Sequence, residues 1–447
     1  MSLLFLALSL VIGRALWDRL NRPAPFPPGP PADLLVGNVR TFPAHDPHLG
    51  LMELAKKYGD VMYFNIFGKS VVILSSQTAA SDLLEKRSMI YSSRPRFMVH
   101  EMVGWTDMLS FLPYGEQFHK QRKLFQQAFT RQGCLAFRSS QLSQTHLLLK
   151  KIMQYPARFE DHVRRFSTAV IMEITYGHKV TSDDDPYVNI AEETNRILMK
   201  AGHSLSIIDF FPSLQYLPSW LPGNWFTRFA EDAAPSIRNM RDFPFEQVRQ
   251  QMASDNATPS FMAMHIEELE RNGGASLEDL QILKVASSQM YAAGAETTWS
   301  TILNVIVLLL LNPEVQHKAQ TELDGVPHCT TADDIYCGMY IPKGTTVLAN
   351  STALAMDDKV YSNPTEFRPE RFLPPQSEPL PVNISFGWGR RMCPGRHFAD
   401  ASVWIVIASL LAVFEIAPRK NSMGQDNIPD VKWVSAITRL VSVGLLR

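Results

Sequence analysis

The chain has 447 residues, of which 45% are hydrophobic and 19% are charged, and its formal net charge is −1. This length can supply one large hydrophobic core or two to three ordinary domains. Because nucleic-acid binding needs a basic face, the balanced charge predicts no nucleic-acid partner. The four cysteines are scattered and form no Cys-x-x-Cys pair, which argues against a zinc site, a dithiol or a disulfide scaffold and favours a cytosol-facing body.

The N-terminus begins with an apolar run, Leu3 to Ile12, which is extended by Ala15-Leu16-Trp17. The run is shorter than the roughly 20 residues of a full span, so Arg14 would have to reach the membrane interface. A cleaved signal peptide is the alternative, but a basic start and a small-residue cleavage site are lacking. We predict a membrane anchor over residues 1–17.

A proline-rich run, Pro23 to Pro31, follows the anchor. Such a run cannot lie inside a helix or a sheet and acts as a stiff spacer. We therefore divide the chain into the anchor, a hinge over residues 18–31 and a folded body over residues 32–447.

The body is predicted to be mainly α-helical with a small β portion. Two segments that alternate apolar and polar residues on either side of Gly68-Lys69 predict a β-hairpin. The region 94–112 has no clear hydrophobic period, which predicts a loop. A second β region is predicted over Tyr340–Asn350, and residues 210–225 are rich in proline and aromatic side chains. Helices are predicted over 51–58, 78–87, 116–129, 142–155, 160–176, 188–202, 228–252, 276–311 and 317–324.

The longest predicted helix, 276–311, carries Ala293-Gly294-Ala295-Glu296-Thr297-Thr298 at its centre. A glycine costs about 1 kcal/mol in a helix interior, and a buried glutamate is costly unless it is paired or hydrated. Thr297 can bond to the carbonyl four residues back. Either these residues carry chemistry, or the segment is a packing kink without any.

Near the C-terminus lies the stretch from Phe386 to Gly395, with glycines, Arg391 and Cys393. The apolar run 401–416 after it predicts a buried helix that begins at or just after Cys393, so that free N–H groups would stabilise an anionic sulfur. Gly395 allows close approach of a flat ligand, and Arg391 offers a cation to a carboxylate. A lone cysteine is more often a buried structural thiol.

The complete spacing Phe-x-x-Gly-x-Arg-x-Cys-x-Gly resembles the haem-binding loop of the cytochrome P450 monooxygenases. The resemblance implies a cytochrome P450 fold with haem b as cofactor. Cys393 would be the axial thiolate of the iron, Arg391 would pair with a haem propionate, and Phe386 and Gly395 would complete the loop. Thiolate ligation favours O–O cleavage.

The Ala-Gly-x-Glu-Thr segment resembles the family's second motif, which implies that Glu296 delivers protons and Thr297 supplies the hydroxyl on the oxygen side. Arg122 matches the arginine of the family's Trp-x-x-x-Arg pattern, in which both residues reach a propionate, whereas Phe118 replaces the tryptophan and lacks an indole donor. His328 matches another propionate contact. A surface role is the alternative for Arg122 and for His328.

One family feature is missing. A loop and a helix with a Glu-x-x-Arg pair should lie between Asp324 and Pro327, and comparison with a typical family length predicts a deletion of about 50 residues there. This pair would normally bind the arginine of Pro369-Glu370-Arg371-Phe372, so we expect Arg371 to be a buried, unpaired charge that costs several kcal/mol. The cause is either a splicing or gene-model error, or a real deletion that impairs the product.

The resemblance implies a monooxygenase, most similar to fungal microsomal members, that inserts one atom of O2 into an apolar secondary metabolite or xenobiotic. An NADPH-cytochrome P450 reductase would supply electrons, because the chain has no nicotinamide or flavin fingerprint. The expected location is the endoplasmic reticulum membrane, with the body in the cytosol. Two alternatives are an impaired haem-binding pseudoenzyme and a membrane-tethered protein that binds an apolar ligand.

Overall fold

The computed structural model describes residues 22–182, 184–201, 207–221, 223–311, 327–366, 368–375, 377–417, 419–420, 426–427, 430–435 and 439–444. These residues form two compact units. The smaller unit contains described residues up to 95 together with 327–354, and the larger unit contains the others. The predicted anchor over 1–17 and the predicted helix over 317–324 lie outside the described residues.

The smaller unit is built on a four-stranded sheet in the order β1-β2-β6-β3. β1 and β2 are antiparallel, β2 and β6 are parallel, and β6 and β3 are antiparallel. A separate hairpin joins β4 and β5. The strands are β1 Val61–Ile66, β2 Lys69–Leu74, β3 His328–Cys329, β4 Asp334–Tyr336, β5 Met339–Ile341 and β6 Thr346–Ala349, and the helices are α1 Pro47–Tyr58, α2 Gln77–Ala80 with a π-helical continuation Ser81–Lys86, and α3 Ser88–Tyr91.

The predicted hairpin is confirmed, but its turn lies one residue earlier than predicted. Phe67 and Gly68 both have positive φ, 48° and 82°, which is the geometry of a tight hairpin turn. The proline-rich run is neither helix nor strand, as predicted. Its second half packs on the hairpin, because the carbonyl of Pro28 accepts a bond from the N–H of Tyr63 at 2.9 Å and Phe26 stacks on the Tyr63 ring at 4.2 Å.

The larger unit is helical around an extended hydrophobic core. The long helix α12 packs against helices α5, α7 and α15 and contributes much of that core. The helices are α4 Met98–Met102, α5 Glu116–Ala128, α6 Arg138–Gln154, α7 Phe159–Tyr176, α8 Pro186–Ala201, α9 Ile207–Phe210, α10 Trp225–Ala253, α11 Phe261–Arg271, α12 Leu277–Leu311, α13 Ser351–Ala355 (which begins in the smaller unit), α14 Val382–Phe386 and α15 Arg396–Val413. Short strands β7 Arg419–Lys420, β8 Asp426–Asn427, β9 Asp430–Ser435 and β10 Arg439–Gly444 follow.

The mainly helical fold with a small β portion is confirmed. Local signals explain why most helix boundaries were predictable: α7 has Glu160 and Asp161 in its first turn and ends at Gly177, whose φ is +72°. The loop prediction for 94–112 was wrong at α4, a five-residue helix too short to show a period.

Two described helices, Leu277–Leu310 and Arg396–Val413, are long and apolar enough to cross a membrane by length and composition. In the first, 67% of the most apolar window is buried within the protein, as expected of a core helix. In the second, only 22% is buried, so the prediction of a buried helix after Cys393 was wrong.

Candidate functional site

Cys393 lies on a loop between α14 and α15 that is closed by backbone hydrogen bonds. Its own N–H donates to the carbonyl of Phe386 at 2.7 Å, across the turn. α15 begins only at Arg396, so Cys393 lies three residues before the helix and not at its start. The sulfur therefore receives a hydrogen bond from the N–H of Gly395 and not from a helical turn.

The surroundings of the Cys393 sulfur suit a ligand to a metal. Burial raises the pKa of the thiol, whereas the Gly395 N–H and the charge of Arg122 act to lower it. Cys393 is half-buried, so the residue keeps accessible surface through which a ligand can reach it. A coordinated metal cation would deprotonate such a thiol outright.

Two arginines lie near Cys393: Arg391 in this loop and Arg122 on α5. Arg122 on α5 donates from Nη1 to the carbonyl of Met392 at 2.6 Å. Arg391 is buried and donates to the carbonyls of Leu109 at 3.0 Å and Leu112 at 2.6 Å. Burial, followed by the neighbouring charge of Arg122, lowers the pKa of Arg391 to about 9. Two desolvated cations this close together favour an anionic ligand.

The centre of α12 has one side that is not packed. Ala293 is exposed although it lies in the middle of the most apolar long helix, and Glu296 and Thr297 are half-buried. The hydroxyl of Thr297 donates to the carbonyl of Ala293 at 2.7 Å, as its spacing predicts. Burial raises the pKa of Glu296, and the charge of Arg164 opposes that rise.

Gly294 faces helix α7, and packing alone explains why a glycine stands at this position of the motif. A Cβ added there would lie 2.9 Å from Cδ1 of Ile171 on α7, which is closer than side chains approach in proteins. The packing explanation therefore holds for Gly294, while Ala293 and Thr297 share the exposed side of the helix.

The remaining site candidate, His328, belongs to the smaller unit. It is buried on β3, and its Nδ1–H donates to the carbonyl of Tyr91 at 2.9 Å. This bond accounts for a fixed ring orientation within the sheet unit. Its role as a propionate contact stays a prediction.

The expectation of an unpaired Arg371 was wrong. The guanidinium is buried, and its Nη1 lies 2.8 Å from Oε2 of Glu378. It also donates to four backbone carbonyls of its own loop at 2.6 to 3.1 Å, those of Ser362, Asn363, Glu366 and Arg368. Glu378 was missed because it follows Arg371 by seven residues in a proline-rich stretch where no periodic pattern links them.

The residues present fit a haem: a soft sulfur that accepts an N–H bond, a buried and a half-buried arginine for carboxylates, and a helix centre with an accessible side. Together with the mainly helical fold, they define the class of haem-thiolate proteins.

Comparison with known proteins agrees with the assignment to the haem-thiolate class. The family model described as Cytochrome P450 matches residues 27–326 and 324–438. Cytochrome P450 monooxygenase 136 of Postia placenta is 31% identical over 462 residues, which cover 94% of this chain and 87% of the relative. Cytochrome P450 monooxygenase 208 of the same fungus is 34% identical, with 93% and 88% covered. Tryptamine 4-monooxygenase of Psilocybe cyanescens is 32% identical, with 93% and 91% covered.

The chain belongs to the cytochrome P450 family. It is a cytochrome P450-type monooxygenase, and the cofactor of this family is haem with a cysteine thiolate on the iron. The family implies O2, a redox partner and an organic substrate.

Proposed function

We propose that Cys393 is the axial ligand of haem b in a monooxygenase that inserts one oxygen atom into an apolar organic molecule. The observation that carries this proposal is the cysteine loop, in which the Cys393 N–H is fixed to Phe386 and the sulfur accepts the N–H of Gly395. A hydrogen-bonded thiolate in a water-poor site keeps its place on a metal and tunes its potential.

The test is the absorption of the reduced protein with carbon monoxide. The wild type is expected to show the band of thiolate-ligated haem, and Cys393→Ala is expected to lose it. Cys329→Ala is the matched control, because it removes another half-buried thiol from the smaller unit. If Cys393→Ala keeps the thiolate band, the ligand assignment is wrong.

Arg122 and Arg391 would hold the two propionates of the haem. Both lie within the loop and helix region that contacts the cysteine loop, and both lose hydration by burial. A bidentate guanidinium pairs well with a carboxylate, and neutralisation by the propionates would offset the repulsion between the arginines. His328 would supply a further propionate contact.

Glu296 and Thr297 would manage protons on the opposite face. When bound, the haem supplies the chemistry that activates O2. Thr297 fixes its hydroxyl oxygen by donating to Ala293, so that its lone pairs are directed to the open side of α12. Glu296, whose pKa is raised by burial, can carry a proton closer to neutral pH than an exposed glutamate can.

The electrons would come from NADPH through a separate cytochrome P450 reductase, since the sequence contains no nicotinamide or flavin fingerprint. The substrate class would be an apolar secondary metabolite or xenobiotic. Apolar and aromatic side chains dominate the segment that leads to α5, which supports an apolar substrate: Phe97, Val103, Trp105, Met108, Phe111 and Leu112 are all buried.

Membrane attachment would use the N-terminal run and a second surface. Around α9 and the start of α10, five large apolar side chains are 43% to 82% exposed: Ile207, Phe211, Tyr216, Trp220 and Trp225. Aromatic side chains at this density favour the lipid interface. We assign the protein to the endoplasmic reticulum membrane with its body in the cytosol.

The Glu-x-x-Arg segment of the family would be deleted from this chain between residues 324 and 327. Three observations support this. The family match is in two parts that meet at residues 324–326, and the 462-residue alignment to one relative is longer than the chain itself. α15 buries only one stripe, Phe398, Ser402, Val406 and Leu410, while Trp404 is 69% exposed.

An apolar helix with one covered side is expected when the element that packs on its other side is lacking. Sequencing the transcript across the codons for 324–327 separates a gene-model error from a real deletion. If the deletion is real, the uncovered helix favours the second function, an impaired haem-binding pseudoenzyme. Haem content and NADPH-driven product formation of the purified chain distinguish the two.

A further inference from the structure

The contact between Phe118 and Arg391 gives a role to the position where this chain differs from the family pattern. Cζ of Arg391 lies 4.0 Å from the centre of the Phe118 ring, and both residues are buried. At this distance the negative face of the ring attracts the guanidinium, and the attraction is strongest where water is excluded.

The ring and two carbonyls hold different parts of the same group. Leu109 and Leu112 accept bonds from Nη1 and Nη2 and so fix the guanidinium along its edge. The Phe118 ring lies 4.0 Å from Cζ and contacts the group away from these two hydrogen bonds. Rotation about the last side-chain bonds of Arg391 is thereby limited in two directions.

A second aromatic residue repeats the arrangement one turn earlier. Tyr114, four residues before Phe118, accepts a hydrogen bond from Arg390, whose Cζ lies 5.6 Å from the Tyr114 ring. The rings of Tyr114 and Phe118 are themselves 5.5 Å apart. Two consecutive arginines of the cysteine loop are thus held by two rings spaced by four residues at the start of α5.

We propose that Phe118 is a positioning residue that sets the plane of Arg391 so that the cation is oriented for an anionic group of the haem before the haem arrives. The proposal rests on the role given above to Arg391. The phenyl ring of Phe118 cannot donate the hydrogen bond that an indole would offer. It contacts the Arg391 guanidinium instead.

The test compares Phe118→Leu, which removes the ring face, with Phe118→Trp, which keeps one. Phe125→Leu is the matched control: Phe125 is on the same helix and equally buried, and its ring neighbours in the described chain are Phe129 and Phe261. Thermal unfolding of the three variants shows whether the fold is kept.

In the haem-loaded protein, haem transfer to apomyoglobin is expected to be roughly tenfold faster for Phe118→Leu than for Phe125→Leu. The midpoint potential of Phe118→Leu is expected to fall, because a less fixed cation stabilises the reduced haem less. Phe118→Trp is expected to stay within about twofold of the wild type. Equal transfer rates and potentials for the two leucine variants would overturn the proposal.

A second readout does not need haem. In the apoprotein, modification of Arg391 by phenylglyoxal, followed by mass spectrometry, is expected to be faster in Phe118→Leu than in the wild type and in Phe125→Leu. A wild type that binds no haem would refute the proposed function, and the modification rates would still decide the role of Phe118. Equal rates in the wild type and Phe118→Leu would refute that role.

Discussion

Arg371 and Glu378 form an ion pair inside a single loop, with Nη1 2.8 Å from Oε2. The loop also supplies four carbonyl oxygens to the same guanidinium, so these partners of the cation all lie between residues 362 and 378. A buried arginine is tolerated when its charge and its N–H groups are satisfied together. The loop before the cysteine segment therefore has an internal support that does not depend on a distant Glu-x-x-Arg pair.

The first prediction concerns Glu378→Gln. Hydrogen bonds from Ser362, and then the charge of Arg371, lower the pKa of Glu378 to about 2 from an ordinary value of 4.5. Because the folded pKa is the lower one, the stabilisation is complete above pH 4.5 and is lost as the pH falls from about 4.5 to about 2. Hydrogen exchange of residues 362–378 should rise over that window in the wild type. In Glu378→Gln, exchange should already be fast at neutral pH.

Glu366→Gln is the control, because this glutamate is exposed in the same loop and only its backbone carbonyl contacts Arg371. If both variants exchange alike, the ion pair does not order the loop.

The second prediction concerns the two arginines of the site. Charge-assisted hydrogen bonds contribute about 1.5–3 kcal/mol, so Arg391→Gln should weaken haem binding by roughly tenfold to a hundredfold. Arg122→Gln should act in the same direction. Arg390→Gln is the control, since Arg390 is exposed and contacts Tyr114. Haem titration of the apoproteins measures the effect, and unchanged affinity for Arg391→Gln would contradict the propionate assignment.

The third prediction concerns proton supply from α12. Thr297→Ala should lower product formation and raise peroxide release, because general acid–base groups contribute about 10²–10⁴-fold to rate. Thr297→Ser should retain most of the activity, since it keeps the hydroxyl. Glu296→Gln should reduce the rate of product formation. In this variant, the rate should no longer depend on the protonation state of residue 296. Oxygen consumption, peroxide and product are measured together, and normal coupling in Thr297→Ala would exclude the hydroxyl role.

The fourth prediction concerns the packing of α12 on α7. Gly294→Ala should destabilise the fold by less than about 2 kcal/mol, because the contact of the new Cβ with Ile171 costs about 1–3 kcal/mol and the gain in helix propensity offsets about 1 kcal/mol of it. In a double-mutant cycle with Ile171→Ala, the two changes should couple favourably, since the smaller side chain makes room for the methyl group. Urea unfolding measures the four free energies. Strict additivity would show that the two side chains do not clash.

The fifth prediction concerns the uncovered side of α15. In this chain, Trp404→Gln should change the free energy of unfolding by less than about 0.5 kcal/mol, as an exposed substitution does, whereas the fully buried Val406→Ala should cost clearly more. In a longer form that contains the missing segment, Trp404→Gln should become destabilising. A large effect of Trp404→Gln in the present chain would show that this side of the helix is already covered.

Much of the architecture was readable from local signals. The alternation that predicts β1 and β2, the apolar period of α12 and the left-handed glycine after α7 act over a few residues, so they need no partner from elsewhere in the chain. The spacing around Cys393 and the Glu296-Thr297 pair identified the family, and the roles of the individual side chains in the site stay predictions.

Sequence by itself determined the family, the cofactor class and most helix positions, because these follow from patterns of neighbouring residues. Only the tertiary structure decided which partners the charged and aromatic side chains have. It placed Glu378 on Arg371 and Phe118 on Arg391, showed that Gly294 faces Ile171, and left one side of α15 uncovered. These residues come together only when the loops and helices pack, so a local sequence pattern cannot predict their contacts.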